Sequence, residues 1–149
     1  MPDLRELYQQ IILDHHRRPH NFRPLPEANR RADGHNPLCG DEVHVEVLLE
    51  GDVLRDVAFQ GSGCAISRAS ASLMTDAVKG KTVAEARALF ERVHRMLTGE
   101  RGAVDVREMG SLAALQGVRD YPVRVKCATL AWHTLVAALE GARSTVTTE

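Results

Sequence analysis

The sequence predicts one domain of the α+β class, and three observations carry that expectation. Alternating valines mark a β-hairpin over residues 43–60. Segments with helical spacing lie on both sides of it, from about Asp3 to His16 and from Cys64 onward. A chain of 149 residues, 44% hydrophobic and 26% charged, is long enough to bury a core and short enough to form a single domain. That domain is expected to span 1–149, closing in a polar tail over about 142–149.

The composition excludes several partners. A net charge of −1 offers no basic surplus for nucleic acid. No apolar run approaches the roughly 20 residues of a membrane span. The opening Met1-Pro2-Asp3-Leu4-Arg5-Glu6 lacks a signal-peptide pattern, so the expected compartment is the cytoplasm. Three cysteines are an odd number for a disulfide framework, and a reducing compartment points to metal or thiol chemistry instead.

Each element has a local reason. Leu7, Tyr8, Ile11 and Ile12 fall at helical spacing, with Asp3 as the expected N-cap and Arg17, Arg18 and Pro19 at the end. His15 and His16 are adjacent, so they point about 100° apart and cannot chelate one ion from a regular helix. Residues 20–34 read as an irregular, proline-rich connector. Asn36-Pro37-Leu38-Cys39-Gly40-Asp41 is a loop carrying a thiol and a carboxylate two residues apart. Val43–Glu50 is a strand with one buried face, and Gly51-Asp52 fits a type II′ turn into a second strand, Val53–Gln60.

The stretch Gly61-Ser62-Gly63-Cys64 places a cysteine at a strand-to-helix turn, where the helix dipole and unpaired amides favour a thiolate. Packing as a small hydrophobe is the competing role for Cys64. A helix follows to about Val78. Thr82 and Glu85 have the spacing of a capping box opening a long helix to Thr98-Gly99, with His94 structural or at the surface. Residues 100–110 read as a charged excursion, and Ser111 to Gly117 as a short helix capped by Ser111. The last helix opens at Pro122, ends near Gly141, carries Cys127, Leu130, Ala131, Thr134 and Ala138 on one face, and turns Trp132 to the core.

Cys39, Asp41, Cys64 and Cys127 come from a loop, a turn and a helix. If they converge, three thiolates and a carboxylate form a tetrahedral set suited to Zn²⁺ or to the iron of an Fe–S cluster. A cysteine-hydrolase reading needs a histidine partner, and none of the seven histidines sits in a nucleophile motif.

Four segments then carry a family resemblance: Asp14-His15 with Pro19 and Asn21; Asn36-Pro37-Leu38-Cys39-Gly40-Asp41; Gly61-Ser62-Gly63-Cys64-Ala65-Ile66-Ser67; and Lys126-Cys127-Ala128-Thr129-Leu130-Ala131-Trp132. The chain resembles the IscU/SufU family of iron–sulfur assembly proteins, related to the NifU N-terminal domain. The resemblance implies a three-stranded antiparallel sheet covered by helices. It also implies a metal site of Cys39, Asp41, Cys64 and Cys127, with the three thiols holding a [2Fe–2S] cluster if one is carried. Three departures favour the SufU branch. Lys126 stands where IscU-type scaffolds have histidine, and an ammonium has no lone pair to give a metal. Asp120-Tyr121-Pro122-Val123-Arg124 replaces Leu-Pro-Pro-Val-Lys, and residues 100–117 form an extra segment.

What the SufU resemblance implies is a zinc-bound sulfur acceptor working with a SufS-like cysteine desulfurase, together with other Suf-type proteins and apo Fe–S proteins. The activity implied is at most zinc-dependent sulfur transfer. Cys39 is the expected acceptor, because Pro37 and Gly40 put it on a surface loop, while Cys64 and Cys127 anchor the site. Lys126 and Arg124 are expected to support the anionic site or dock the partner, with a plain solvated face as the alternative. Two rival roles use the same residues: a scaffold that assembles and passes on a [2Fe–2S] cluster, and a purely structural zinc adaptor.

Overall fold

The computed structural model describes residues 4–100, 102–141 and 146–147. Helix α1 (Leu4–Arg17) leads through a connector into strands β1 (Arg30–Asn36), β2 (Asp41–Glu50) and β3 (Val53–Ser62). Helices α2 (Ala65–Val78) and α3 (Val83–Thr98) follow, then two 3₁₀ turns (Val106–Glu108 and Gly110–Val118), helix α4 (Pro122–Glu140) and a two-residue strand β4 (Val146–Thr147). The sheet order is β3-β2-β1-β4, antiparallel except where β4 pairs parallel to β1. The α+β class is as expected, but the sheet has four strands rather than three.

The hairpin follows from its pattern. Val43, Val45 and Val47 are buried and face Gly61, Phe59 and Val57 across the β2–β3 ladder. With the buried Leu73, Met74, Leu130, Trp132 and Leu135 of α2 and α4 they form one core. Gly51 has φ +61 while Asp52 keeps a negative φ, the signs of the expected type II′ turn. The sheet's other face is covered near its edge by the connector, where Leu25 and Ala28 pack on Ala58. The backbone of Asn21 and Arg23 hydrogen-bonds with Phe59, which occupies the open edge of β3.

Three expectations change. Residues 30–36, read as the end of the connector and a loop, form β1, whose inward positions are Ala32, Gly34 and Asn36. These small or polar residues give no hydrophobic alternation, yet they are what α4 requires: a Cβ at Gly34 would stand 2.1 Å from Thr134 Oγ1. The expected polar tail contributes Val146 and Thr147 as a strand against Gly34 and His35. Ser111 caps nothing: the segment is a 3₁₀ helix that starts at Gly110 behind Met109, without a side-chain cap. The expected N-cap Asp3 lies outside the described residues.

The Thr82–Glu85 capping box is present, Gly141 closes α4 in the left-handed conformation, and Trp132 is fully buried. His94 is exposed, within the structural-or-surface role read for it. Among the described residues, no helix is long and apolar enough to cross a membrane.

Candidate metal centre

The centre is built where one end of the β1–β2 hairpin meets the start of α2 and the second turn of α4. Asn36 and Asp41 are paired across the ladder, so residues 37–40 form the hairpin tip and Cys39 sits on it. Gly40 adopts φ +70 to close that tip, and the neighbouring Leu38 is 61% exposed. Asp41 begins β2 and is fully buried.

Cys64 is the N-cap of α2: its Sγ accepts from the Ser67 amide at 3.5 Å. Its own amide donates to Asp41 Oδ1 at 2.8 Å, and Cys64 Sγ lies 3.9 Å from Oδ2 of the same carboxylate. Gly63 makes this approach possible, because a Cβ there would stand 2.5 Å from Asp41 Oδ1. Cys127 arrives from α4, one turn past Pro122, and is completely buried. Ser70 donates to the Ala128 carbonyl and ties α2 to α4 beside it.

The donor atoms come together. Cys127 Sγ lies 3.3 Å from Cys39 Sγ, and one donor each from Cys39, Asp41 and Cys127 lie within 4.8 Å of one another. Cys64 adjoins this group through Asp41, its sulfur lying outside the set of three donors. Burial pushes the Cys127 thiol far up, and Asp41, Cys39 and Cys64 each add to that push. As thiols these groups can donate to the Asp41 carboxylate. As thiolates they are a set of neighbouring anions that only a cation can hold together. Soft sulfur donors with one oxygen fit zinc or iron, not magnesium or calcium.

Asn36 had been given no role, yet it braces the site. It is fully buried; its Nδ2 donates to Cys127 Sγ at 3.6 Å and its Oδ1 accepts from the Leu38 amide at 3.2 Å. An Asn-Pro pair before a Cys-Gly tip is the local signal that could have pointed to it. Arg124 is exposed, and Lys126 lines a groove with His94, Thr98 and His133 between α3 and α4. A second group was missed altogether: His15 pairs with His20 and Asp76, not with its neighbour His16.

The likeness to known proteins runs along nearly the whole chain. It is 42% identical over 142 residues to the zinc-dependent sulfurtransferase SufU of Bacillus subtilis, covering 93% of this chain and 95% of the relative. It is 40% identical over 137 residues to the iron–sulfur cluster assembly scaffold protein IscU of Streptococcus pyogenes, covering 92% and 85%. A crystal structure from Fervidobacterium islandicum, described as a cluster assembly scaffold for the SUF system, superposes with a TM-score of 0.81 at 36% identity, covering 87% of this chain and 94% of that one. The family described as NifU-like N terminal domain matches residues 7–139. With the strands, helices and cysteine turn in place, this chain belongs to that family, which includes the IscU and SufU proteins.

Proposed function

We propose that this chain serves iron–sulfur cluster assembly as a zinc-bound acceptor that takes persulfide sulfur from a cysteine desulfurase, with Cys39 as the receiving thiol. The observation that carries the reading is the grouping of Cys39, Asp41 and Cys127, with Cys64 beside Asp41 and Cys39 on the hairpin tip. The name of the Bacillus relative supports the same role.

Zinc, when bound, supplies the charge that keeps the thiols deprotonated beside a buried carboxylate. Cys127 is fixed inside α4 and Cys64 at the cap of α2, so both anchor the site. Cys39 and the hard oxygen of Asp41 are the ligands suited to exchange. In the transfer, the Cys39 sulfur attacks the outer sulfur of the partner's persulfide. A new S–S bond forms at Cys39, the old one breaks, and the partner's cysteine leaves as a thiolate, with no outside oxidant needed. A SufS-like desulfurase is the proposed donor, with Suf-type assembly proteins and apo Fe–S proteins downstream in the cytoplasm. Arg124, exposed and three residues before Cys127, is the proposed contact for such a partner.

The test is desulfurase turnover with and without the chain. The zinc-loaded protein should raise turnover and carry sulfur on Cys39, whereas the zinc-free form and Cys39→Ala should not. A second reading is a scaffold, since the same three thiols suit a [2Fe–2S] cluster and the Streptococcus relative is named as one. A stable, transferable cluster after anaerobic reconstitution, with sulfur uptake indifferent to Cys39→Ala, would establish the scaffold and reject the acceptor.

A further inference from the structure

The C-terminal half of α2 carries a second cluster of donors, distinct from the thiols. His15 lies in the last turn of α1, His20 in the connector, and Asp76 two residues before α2 ends. One ring nitrogen of each histidine and one Asp76 oxygen lie within 4.8 Å of one another. We propose that His15, His20 and Asp76 form a second, exchangeable binding site for a borderline divalent cation, zinc foremost.

The surroundings are those of a braced site. Ser72, fully buried, accepts from the His20 amide at 2.7 Å and lies 2.7 Å from His15 Nδ1. When His15 donates Nδ1–H to Ser72, its Nε2 lone pair is left for a cation, the usual arrangement for a ligating imidazole. Asn21 Nδ2 donates to Asp76 Oδ1 at 3.1 Å and to Thr75 Oγ1 at 3.0 Å, which orients the carboxylate. Asn21 holds φ +56, the sole positive φ among the described non-glycine residues, and so folds His20 back over α2.

A simple ion pair between His20 and Asp76 is the competing account, and the two groups do hydrogen-bond. It does not account for the approach of the His15 ring to both groups. The two imidazole rings lie tilted with centroids 4.4 Å apart, where two positive charges would repel. Two imidazoles and one carboxylate, with water in the open positions, select zinc, cobalt or nickel over magnesium or calcium. Exposure of His20 and Asp76 gives the ion free entry and exit.

The experiment is calorimetric titration of the full chain, already loaded with one zinc, with further Zn²⁺. A second equivalent should bind the wild type. It should bind His20→Asn and Asp76→Asn about tenfold more weakly or worse, with the first zinc retained. These are exposed positions, and thermal melts of both variants report whether they fold. Cobalt added to the one-zinc wild type gives a reading that needs no variant. Weak visible bands without sulfur charge transfer support the site. A missing second equivalent, equal affinity in the variants, or sulfur charge transfer as cobalt enters would each overturn it.

Discussion

The two ends of α2 make opposite kinds of site from one helix. At its N-terminus, Cys64 caps the helix and meets a buried carboxylate from 23 residues back, around which the thiols of Cys39 and Cys127 gather. Near its C-terminus, Ser72 and Asp76 meet two histidines only five residues apart, and two of the three donors are exposed. The first end is soft, with Asp41 and Cys127 buried and Cys39 and Cys64 half-buried, and it depends on tertiary packing. The second is harder, open to water and assembled around a short connector. The comparison teaches that burial, rather than the helix itself, decides which donor chemistry each end can support. A thiol cluster needs protection from solvent and oxidation, whereas imidazole and carboxylate tolerate exposure.

Four outcomes break or sharpen that contrast. The largest effect is expected from Cys127→Ala. Removing the buried central thiol should cut zinc affinity at the cysteine end by more than the roughly 10- to 100-fold lost with an outer partner, as read by chelator competition. Metal uptake at the histidine end should be unchanged, and a parallel loss there would merge the two sites into one. Next, Asn36→Ala removes the amide that donates to Cys127 Sγ. Zinc affinity at the cysteine end should fall about 10- to 100-fold while the far-UV spectrum keeps its wild-type form. Unchanged affinity would reduce Asn36 to a turn residue.

Ser72→Ala tests the other end. Ser72 is fully buried and serves both histidines, so its loss should cost about 1–2 kcal/mol in denaturant unfolding. Zinc affinity at the cysteine end should not move, and a shift there would mean that α2 couples its two ends. The smallest effect is a pH dependence away from both. His133 of α4 lies against Phe90 and His94, and burial first, with His94 second, lowers its pKa below the ordinary value. The unfolded chain therefore binds a proton there that the folded chain does not. Stability should be full above the unfolded histidine value and decline as pH falls toward the folded one. His133→Asn should flatten the fall, as followed by melts between neutral and mildly acidic pH.

The hairpin and the cysteine turn were legible in the sequence because each depends on neighbours. Valines at every second position bury one face whatever the sheet packs against, and Thr82 with Glu85 caps a helix through bonds three residues apart. The β1 strand was not legible, since Ala32, Gly34 and Asn36 are selected by the close approach of α4 and not by hydrophobicity. Ser111 does not cap because the segment is 3₁₀ from its start, with Met109 rather than a polar residue at the cap position. The histidine group escaped for a similar reason. His15 and His20 straddle a helix end, where no periodicity relates their directions, and only the path of the chain between them brings their rings together.

By itself the sequence determined the local elements, the three thiols and the carboxylate, and the family motifs around them. It did so because periodicity, capping and turn chemistry are settled within a few residues, where side chains meet water or their own backbone. Only the tertiary structure decided that Asn36 faces Asp41 across a ladder, that Cys39 rides the tip between them, and that Cys127 comes within 3.3 Å of it from 88 residues away. Those contacts depend on how α4 seats on β1 and α2, and nothing in the spacing of four donors along a chain sets the packing of surfaces that distant.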